Sequence, residues 1–384
     1  MHRKYLTALF AVYLLLFFVQ SASAAQDQWQ GVSRIVAVGD IHGDYDRFKE
    51  VLTRAGLINA RGNWIGAETH FVQVGDLPDR GPDTDKIIEH MQRLERQAIR
   101  AGGRVHALIG NHEAMNVLGD LRYVHPGEYE ALKSRQASRL RNNLYDRHVE
   151  LVTAANPEFV ADAAYRTQFD ALYPLGYVEH RLAWGQQGEI GAWVMEHNAI
   201  IKINRTLFLH GGISPEVLGR SITEINEQIR LELQGNLGDE VGLIETESGP
   251  LWYRGLAAGD EALERAHVEA VLDFYQVDQI VLGHTPGLGT IVPRFDGKVV
   301  VIDTGISGYY GGHLASLLIE SGQSYTVQAG QRLAIPENRQ DLLAYFKSVL
   351  EFKPDMPALQ QHVRNIESPK PSPATPAVIP DPAF

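Results

Sequence analysis

The chain has 384 residues, of which 44% are hydrophobic and 21% charged, an ordinary globular composition. Its formal net charge of −12 disfavours nonspecific binding to DNA or RNA, because nothing offsets the repulsion of the phosphates. The absence of Cys excludes disulfides and any phosphatase mechanism that needs a cysteine thiolate.

The N-terminus has the pattern of an export signal. Two basic residues precede an apolar run over Tyr5–Val19, and Ala22 and Ala24 form a small-residue cleavage motif. The run is shorter than the roughly 20 residues of a membrane span, although an uncleaved membrane anchor is the alternative. We expect a signal peptide over residues 1–24 and a periplasmic or secreted protein, with no stable membrane association after cleavage.

Short apolar runs that favour strands follow, and each ends in a glycine-rich or polar loop. The runs are Arg34–Val38, Thr69–Val74, Arg104–Ile109, Arg205–Leu209, Gln279–Leu282 and Lys298–Ile302. Amphipathic helical patterns cover 45–55 and 84–100 between the first three runs. This alternation predicts an α/β layered fold with largely buried strands.

Two further stretches lack recognisable chemistry. Residues 121–169 place apolar side chains at helical spacing among many charges, which predicts a helical insertion at about 120–170 within a domain spanning 31–345. Six of the 18 Pro residues lie beyond Ser368. We therefore expect a Pro-rich disordered tail over 366–384.

A polar residue beside Gly follows strand after strand. The five motifs, in chain order, are GDIHGD (39–44), GDLPDRG (75–81), GNHE (110–113), HGG (210–212) and GHT (283–285). Each motif alone is common in polar loops, and GNHE alone is compatible with a helix start. In open α/β sheets, however, the carboxyl ends of the strands build the ligand site. Five such motifs in order therefore predict one shared site.

The residue types at these positions suit two divalent ions that share one carboxylate. Asp76, alone after its strand, is the natural bridge. The predicted ligands are Asp40, His42 and Asp76 for one ion, and Asp76, Asn111, His210 and His284 for the other. Mixed carboxylate and imidazole ligands favour Mn, Fe or Zn over Ca.

The same motifs supply candidates for catalysis. Two ions about 3.5–4 Å apart can hold a bridging hydroxide for in-line attack on phosphorus. His112 is the candidate general acid for the leaving oxygen, with Asp79 orienting its ring. Arg80 can bind the non-bridging phosphate oxygens as a planar fork. Five other histidines lack such surroundings and are interpreted as structural or surface residues: His70, His90, His106, His125 and His313.

Together, these motifs closely resemble those of the calcineurin-like metallophosphoesterases, specifically the phosphoprotein phosphatase (PPP) family, over residues 39–305. The resemblance implies a central β-sandwich flanked by helices, with the same metal ligands, and the same roles for His112, Asp79 and Arg80. It also matches a second phosphate-binding arginine to Arg254, in a looser motif.

Two departures from the family pattern indicate a branch. The segment 303–312, DTGISGYYGG, stands where eukaryotic members carry an SAPNY-type loop, and the spacing from Asn111 to His210 is long. With GNHEAMN and the export pattern, these features resemble the Shewanella-like protein phosphatases, which include members that act on phosphotyrosine. Tyr309 and Tyr310 would then line a pocket for an aromatic leaving group, or serve only packing.

The expected function is that of a dinuclear phosphomonoester hydrolase acting on a phosphorylated protein or peptide, with phosphotyrosine favoured. One alternative is a diadenosine polyphosphate hydrolase, whose family pattern differs at the second and third motifs. Another is a catalytically silent metal-binding scaffold. The full ligand set together with His112 and Arg80 argues against the scaffold.

Overall fold

The computed structural model describes residues 26–235 and 242–368. The predicted signal peptide lies outside the described residues, as does the predicted Pro-rich tail beyond Ser368. Among the helices of the described ranges, none combines the length and apolarity needed to cross a bilayer.

The strands of the described ranges form two six-stranded sheets. They are β1 (Gln28–Trp29), β2 (Arg34–Val38), β3 (His70–Gln73), β4 (Arg104–Ala107), β5 (Ile200–Ile203), β6 (Thr206–Leu209), β7 (Gln279–Leu282), β8 (Val292–Arg294), β9 (Val299–Val301), β10 (Ala315–Glu320), β11 (Gln323–Gln328) and β12 (Gln331–Ala334). Sheet I has the order β12-β11-β10-β2-β3-β4, and sheet II has the order β1-β5-β6-β7-β9-β8.

Helices cover the sheets and fill the longer connections. In the described ranges they are α1 (Tyr45–Arg54), α2 (Thr84–Arg100), α3 (Asn111–Leu118), α4 (Pro126–Leu132), α5 (Ala137–Ala155), α6 (Ala163–Leu172), α7 (Tyr177–Trp184), α8 (Glu189–Met195), α9 (Ile222–Leu233), α10 (Gly255–Ala258), α11 (Glu261–Tyr275), α12 (Arg339–Phe352) and α13 (Pro357–Glu367). A short 3₁₀ turn spans Gly308–Tyr310.

Successive side chains of a strand point to opposite faces of its sheet, and in this fold both faces are buried. In β2, Ile35 and Ala37 join the core between the two sheets. Val36 and Val38 face the other way, into the core that α1 and α2 cover. A strand buried on both faces reads as a continuous apolar run rather than an alternating one. The predicted helix-flanked α/β sandwich is thus confirmed. Its signal in the sequence was the set of continuous apolar runs.

Strand direction gathers the polar motifs. Strands β2, β3 and β4 run parallel in sheet I, and β6, β7 and β9 run parallel in sheet II. Their carboxyl ends therefore lie at one edge of each sheet. The loops that follow these strands carry the motifs at 39–44, 75–81, 110–113, 210–212 and 283–285.

Two helical regions lie outside the sandwich. Helices α4–α8 occupy residues 126–195, a longer stretch than the predicted insertion at about 120–170. Helices α12 and α13 extend past the predicted domain end at 345 and share a small core of their own, built around Phe346, Val349 and Leu359.

The insertion buries one histidine without hydrogen bonds. His180 on α7 is fully buried between the rings of Tyr129 and Trp184, and neither of its ring nitrogens has a partner. Burial, with a smaller contribution from the charge of Arg181, lowers the pKa of His180 to about 3. The ring is therefore neutral in the folded protein at neutral pH.

We expect His180→Phe to make the protein more resistant to acid. Because the folded-state pKa of His180 lies below its unfolded value, the unfolded chain takes up the proton first. The neutral ring costs no stability above about pH 6.5, and stability falls as the pH drops below that value, by ~2 kcal/mol at pH 5. Thermal unfolding at pH 7 and pH 5 should show a smaller decrease in Tm for the variant. Tyr177→Phe, which perturbs the same aromatic cluster without removing a histidine, should behave as wild type, and equal decreases in all three proteins would contradict the expectation.

Candidate metal centre and active site

The loops at the sheet edge hold unusual backbone conformations. Five of the predicted site residues, none of them glycine, have left-handed φ angles: His42 (50°), Asp76 (67°), Asp79 (71°), Arg80 (67°) and His284 (62°). Such conformations cost about 1–3 kcal/mol each and persist only where the surroundings enforce them. One enforcing contact is the close approach of the first two loops, where a Cβ on Gly43 would collide with the carbonyl of Gly81. These loops are therefore held in shape by the fold around them.

Asp76 lies at the centre of the site, between two groups of potential ligands. One group is His42, Asp76 and His112, the other is Asp76, His210 and His284, and within each group the ligand atoms lie within 4.8 Å of one another. Asp76 Oδ2 is 3.9 Å from His42 Nε2, whereas Oδ1 is 3.3 Å from His210 Nε2. The two oxygens thus face different groups, as a bridging carboxylate requires.

The remaining predicted ligands join the same centre. Asp40 Oδ2 is 3.9 Å from His42 Nε2, and Asp40 Oδ1 accepts a hydrogen bond from the backbone N–H of His284 at 3.2 Å. Asn111 Oδ1 is 2.8 Å from His210 Nε2. The structure therefore brings all six sequence-predicted ligands together, from loops of both sheets.

The donor set fits cations on its own chemistry. The Nδ1 atoms of His42 and His210 lie 3.1 Å from the Pro78 carbonyl and 2.8 Å from the Val74 carbonyl. Since a carbonyl only accepts, each Nδ1 carries the proton, and in a neutral ring each Nε2 then turns a lone pair to the centre. With a neutral His210, its Nε2 lone pair faces the oxygens of Asn111 and Asp76, an arrangement of acceptors that a cation would stabilise.

His284 strengthens this fit. Its Nε2 is buried and has no hydrogen-bond partner in the described structure. Burial, followed by the charge of His210, lowers the pKa of His284 to about 2, and burial lowers the pKa of His42 to about 3. Both rings are neutral at physiological pH, as imidazole ligands to a metal must be.

Buried carboxylates surround the same point. Burial raises the pKa of Asp40 well above its usual range, and the neighbouring Asp303 and Asp76 raise it further. Burial also raises the pKa of Asp303 to about 6 and, with the charge of Asp76, that of Glu113 to about 7. So many acids are costly to bury together unless positive charge compensates them. Divalent cations would supply that charge.

His112 is coupled to Asp79 beside this centre. Its Nδ1 is 2.5 Å from Asp79 Oδ2, and Asp79 Oδ1 accepts from Asn116 Nδ2 at 3.0 Å. Burial alone would lower the pKa of His112, but the carboxylates of Asp76 and Asp79 outweigh it and raise the pKa. His112 Nε2 lies 3.7 Å from Asp76 Oδ2. The ring is thus placed either to deliver a proton or to act as a further ligand.

The two predicted phosphate-binding arginines differ in their surroundings. The guanidinium of Arg80 stacks 3.9 Å over the ring of Tyr123 and lies 5.1 Å from the ring of Tyr309, while its buried Nε has no partner in the described structure. Arg254 Nη1 donates to the carbonyl of His284 at 2.7 Å and to Thr285 Oγ1 at 3.1 Å. Arg80 therefore has an unused donor, and Arg254 lies beside a predicted ligand.

Arg80→Lys is expected to reduce kcat/KM about 10- to 100-fold, mainly through KM, because one charge-assisted hydrogen bond contributes ~1.5–3 kcal/mol. Lysine keeps the charge but cannot form the planar fork or stack on Tyr123. Steady-state kinetics on an aryl phosphate measures the effect. Arg122→Lys is the matched control, since Arg122 is an exposed arginine paired with Asp120. Unchanged kinetics in Arg80→Lys would remove Arg80 from the phosphate site.

Several residues that shape the site were not predicted. Glu113 accepts from three backbone N–H groups, those of Leu77 (2.7 Å), Gly110 (2.8 Å) and Asp76 (3.2 Å). It occupies the third position of α3, after a glycine at the N-cap, so the sequence contains the glutamate half of a capping-box signal. Glu128 likewise occupies the capping-box position of its helix, α4. Asn116 and Tyr123 carried no such signal, because their contacts to Asp79 and Arg80 are made only in the fold.

A sandwich whose strand-end loops converge on a shared aspartate between histidine clusters defines a metal-dependent phosphoesterase. The chain matches the calcineurin-like phosphoesterase family over residues 33–288 and belongs to it. The predicted family and the predicted class of enzyme, a phosphoester hydrolase, are thus confirmed.

Relatives of the chain narrow its place in this family. It is 34% identical to an uncharacterized protein of Schizosaccharomyces pombe over 76% of this chain and 79% of that protein. It is 28% identical to Shewanella-like protein phosphatase 2 of Arabidopsis thaliana over 73% of each. The crystal structure of a cold-active protein-tyrosine phosphatase from a psychrophilic Shewanella species superposes with a TM-score of 0.62, at 30% identity, covering 81% of this chain and 82% of that one. The predicted resemblance to the Shewanella-like branch is confirmed.

Proposed function

We propose that this phosphoesterase is a dinuclear metal-dependent protein phosphatase that prefers phosphotyrosine to phosphoserine and phosphothreonine. The observation that carries the proposal is the position of Asp76, whose two carboxylate oxygens face two separate groups of histidines. Beside it lie the His112–Asp79 pair and Arg80, whose buried Nε has no hydrogen-bond partner in the described structure.

Six side chains would hold the two ions, of the Mn, Fe or Zn type: Asp40, His42, Asp76, Asn111, His210 and His284. When bound, the ions would neutralise phosphate charge and activate a water for in-line attack. The protein residues supply the other requirements. Their placement at the ends of rigid strands fixes the geometry before substrate arrives.

The protein's own groups would bind the phosphate and move the proton. Arg80 and Arg254 would bind non-bridging phosphate oxygens from two sides of the site. As the ester bond breaks, His112 Nε2–H would donate its proton to the leaving oxygen. Asp79 would hold the ring through Nδ1 and stabilise its protonated form.

Aromatic residues beside Arg80 support the preference for phosphotyrosine. Tyr309 is 62% exposed although it lies next to the Arg80 guanidinium, and the ring of Tyr310 lies 5.1 Å from that of His42. An exposed aromatic face at the mouth of a phosphate site suits an aryl leaving group. The activity in the name of the Shewanella structural neighbour, a protein-tyrosine phosphatase, supports the same assignment.

The proposed setting is the periplasm or the exterior of the cell, with a phosphorylated protein or peptide as substrate. The pattern of basic, apolar and small residues over 1–24 supports this location. N-terminal sequencing of the protein recovered from its native cells tests it. A start near Ala25 is expected, and an intact N-terminus in a cytosolic fraction would contradict the location.

A substrate panel on metal-defined protein tests the proposed activity. Protein stripped with a chelator should be inactive, and addition of Mn²⁺, Zn²⁺ or Fe²⁺ should restore hydrolysis. A phosphotyrosine peptide should be cleaved faster than a phosphoserine peptide of the same sequence, and both faster than a dinucleoside tetraphosphate. Dominant cleavage of the dinucleotide would favour a diadenosine polyphosphate hydrolase. No metal-stimulated hydrolysis at all would favour a binding scaffold.

A further inference from the structure

Two consecutive residues of the site share a costly backbone conformation. Asp79 and Arg80 have φ angles of 71° and 67°, and neither is glycine. A pair of left-handed non-glycine residues requires outside contacts to hold it. Both backbone N–H groups find such contacts in residues just before and within α4. Asp79 N–H donates to Glu128 Oε1 at 3.1 Å, and Arg80 N–H donates to the Tyr123 carbonyl at 3.1 Å.

Glu128 is itself rigidly placed. It occupies the third position of α4, is buried, and accepts a second hydrogen bond from the backbone N–H of His125 at 3.4 Å. No arginine or lysine pairs with it within the described ranges. Burial, and then the nearby carboxylate of Asp79, raise the pKa of Glu128 well above its usual range. Capping requires only the hydrogen bond from the His125 N–H, so it does not account for the second hydrogen bond, from the N–H of Asp79.

The helical insertion also contacts the Asp79–Arg80 turn indirectly, through α3. Arg181 on α7 donates from Nη1 to the Asn116 carbonyl and from Nη2 to the Val117 carbonyl, at the end of α3. Asn116 in turn donates to Asp79 Oδ1. The helices at 126–195 thus contact both the backbone of Asp79 and the helix that carries His112.

We infer that Glu128 is a positioning residue, through which the helical insertion holds Asp79 in register with His112. Loss of its acceptor oxygen would let the 79–80 turn relax toward ordinary φ angles. The Asp79 carboxylate would then move away from His112 Nδ1. This inference rests on the proposed function, in which His112 donates a proton to the leaving group.

Three substitutions at Glu128 test the inference. Glu128→Ala removes the oxygen that accepts from the Asp79 N–H. Glu128→Asp shortens the side chain by one methylene, and Glu128→Gln keeps an acceptor oxygen on a side chain of the same length. Glu130→Ala is the matched control, because Glu130 lies on the same helix but is exposed and, among the residues that the structure describes, pairs only with Lys133. Each protein is assayed on phenyl phosphate and on p-nitrophenyl phosphate, with metal content and thermal unfolding measured alongside.

Leaving-group dependence separates positioning from general damage. Phenolate is a poor leaving group and needs the proton, whereas p-nitrophenolate leaves readily without it. We expect Glu128→Ala and Glu128→Asp to lose kcat on phenyl phosphate about 10- to 100-fold, the usual effect of removing an outer-shell partner. The loss of kcat on p-nitrophenyl phosphate should be much smaller, with metal content unchanged. Glu128→Gln and Glu130→Ala should stay within about twofold of wild type, since their geometry at Asp79 is intact.

The outcomes distinguish the positioning role of Glu128 from the proposed phosphatase activity. Equal losses on both substrates, loss of metal, or full activity in Glu128→Asp would overturn the positioning role while leaving the phosphatase proposal intact. If Glu128→Ala does not fold, Glu128→Asp and Glu128→Gln still decide the point. A wild-type protein without metal-dependent hydrolysis of either substrate would overturn both proposals.

Discussion

Asp76→Asn is expected to abolish hydrolysis and to lower the bound metal below two ions per chain. Asp76 alone belongs to both groups of potential ligands, and an amide offers one weakly binding oxygen in place of two charged ones. The decrease in kcat/KM should exceed the ~10³-fold loss that follows removal of a single charge-stabilising donor. Elemental analysis of the purified protein and initial rates on a phosphotyrosine peptide measure the two effects.

Asp46→Asn is the matched control for this substitution, because Asp46 is an exposed acid on α1 that pairs with Lys49. It should keep wild-type metal content and rate. An Asp76→Asn protein that retains two ions and full turnover would show that the two groups do not share a ligand. The dinuclear proposal would then be wrong.

His112→Asn is expected to lower kcat about 10²- to 10⁴-fold, the usual contribution of a general acid. The metal content should stay at two ions per chain, because His112 Nδ1 is engaged by Asp79 and the six proposed ligands are untouched. The loss should be largest for phosphotyrosine and phosphoserine and smallest for p-nitrophenyl phosphate. Kinetics on these substrates and elemental analysis on one preparation provide the measurement.

The position of His112 also allows a second role, as a metal ligand. His112 Nε2 also lies among the ligand atoms of His42 and Asp76, so a ligand role predicts loss of one ion together with loss of rate. His148→Asn controls for the removal of an imidazole, since within the described residues His148 of α5 hydrogen-bonds only to the Tyr165 hydroxyl. Metal loss in His112→Asn alone would transfer His112 from proton donor to ligand.

The predictable part of the fold follows from burial on two faces. Runs such as 34–38 and 279–282 are apolar after their first residue, so they identify strands without any partner being known. Strand β11, Gln323–Gln328, escaped prediction because its sequence QSYTVQ is polar, and its strand conformation depends on pairing with β10 and β12. Strand β5, Ile200–Ile203, was missed between helix α8 and the predicted run that follows it.

The site was predictable where chemistry lies next to strand ends, and not elsewhere. The loops after β2 and β3 have recognisable Gly-Asp motifs, and these motifs contain Asp40, His42 and Asp76. Glu128 and Tyr123 act on the same loops through contacts with residues more than 40 positions earlier. No local pattern encodes such contacts, because they exist only once α4 packs near the sheet edge.

Strand β2 has a further consequence for how the domain forms. It lies inside sheet I between β3 and β10. Strand β3 is the next strand along the chain, whereas β10, which pairs with β2 antiparallel, comes much later in the sequence. Closing that pair costs a large loop entropy and slows folding. Until residues 315–320 have been synthesised, β2 presents an open edge, the kind that invites association with other chains. The loop with Asp40 and His42 extends from this strand, so part of the metal centre stands on a strand that is paired on both sides only after β10 is added.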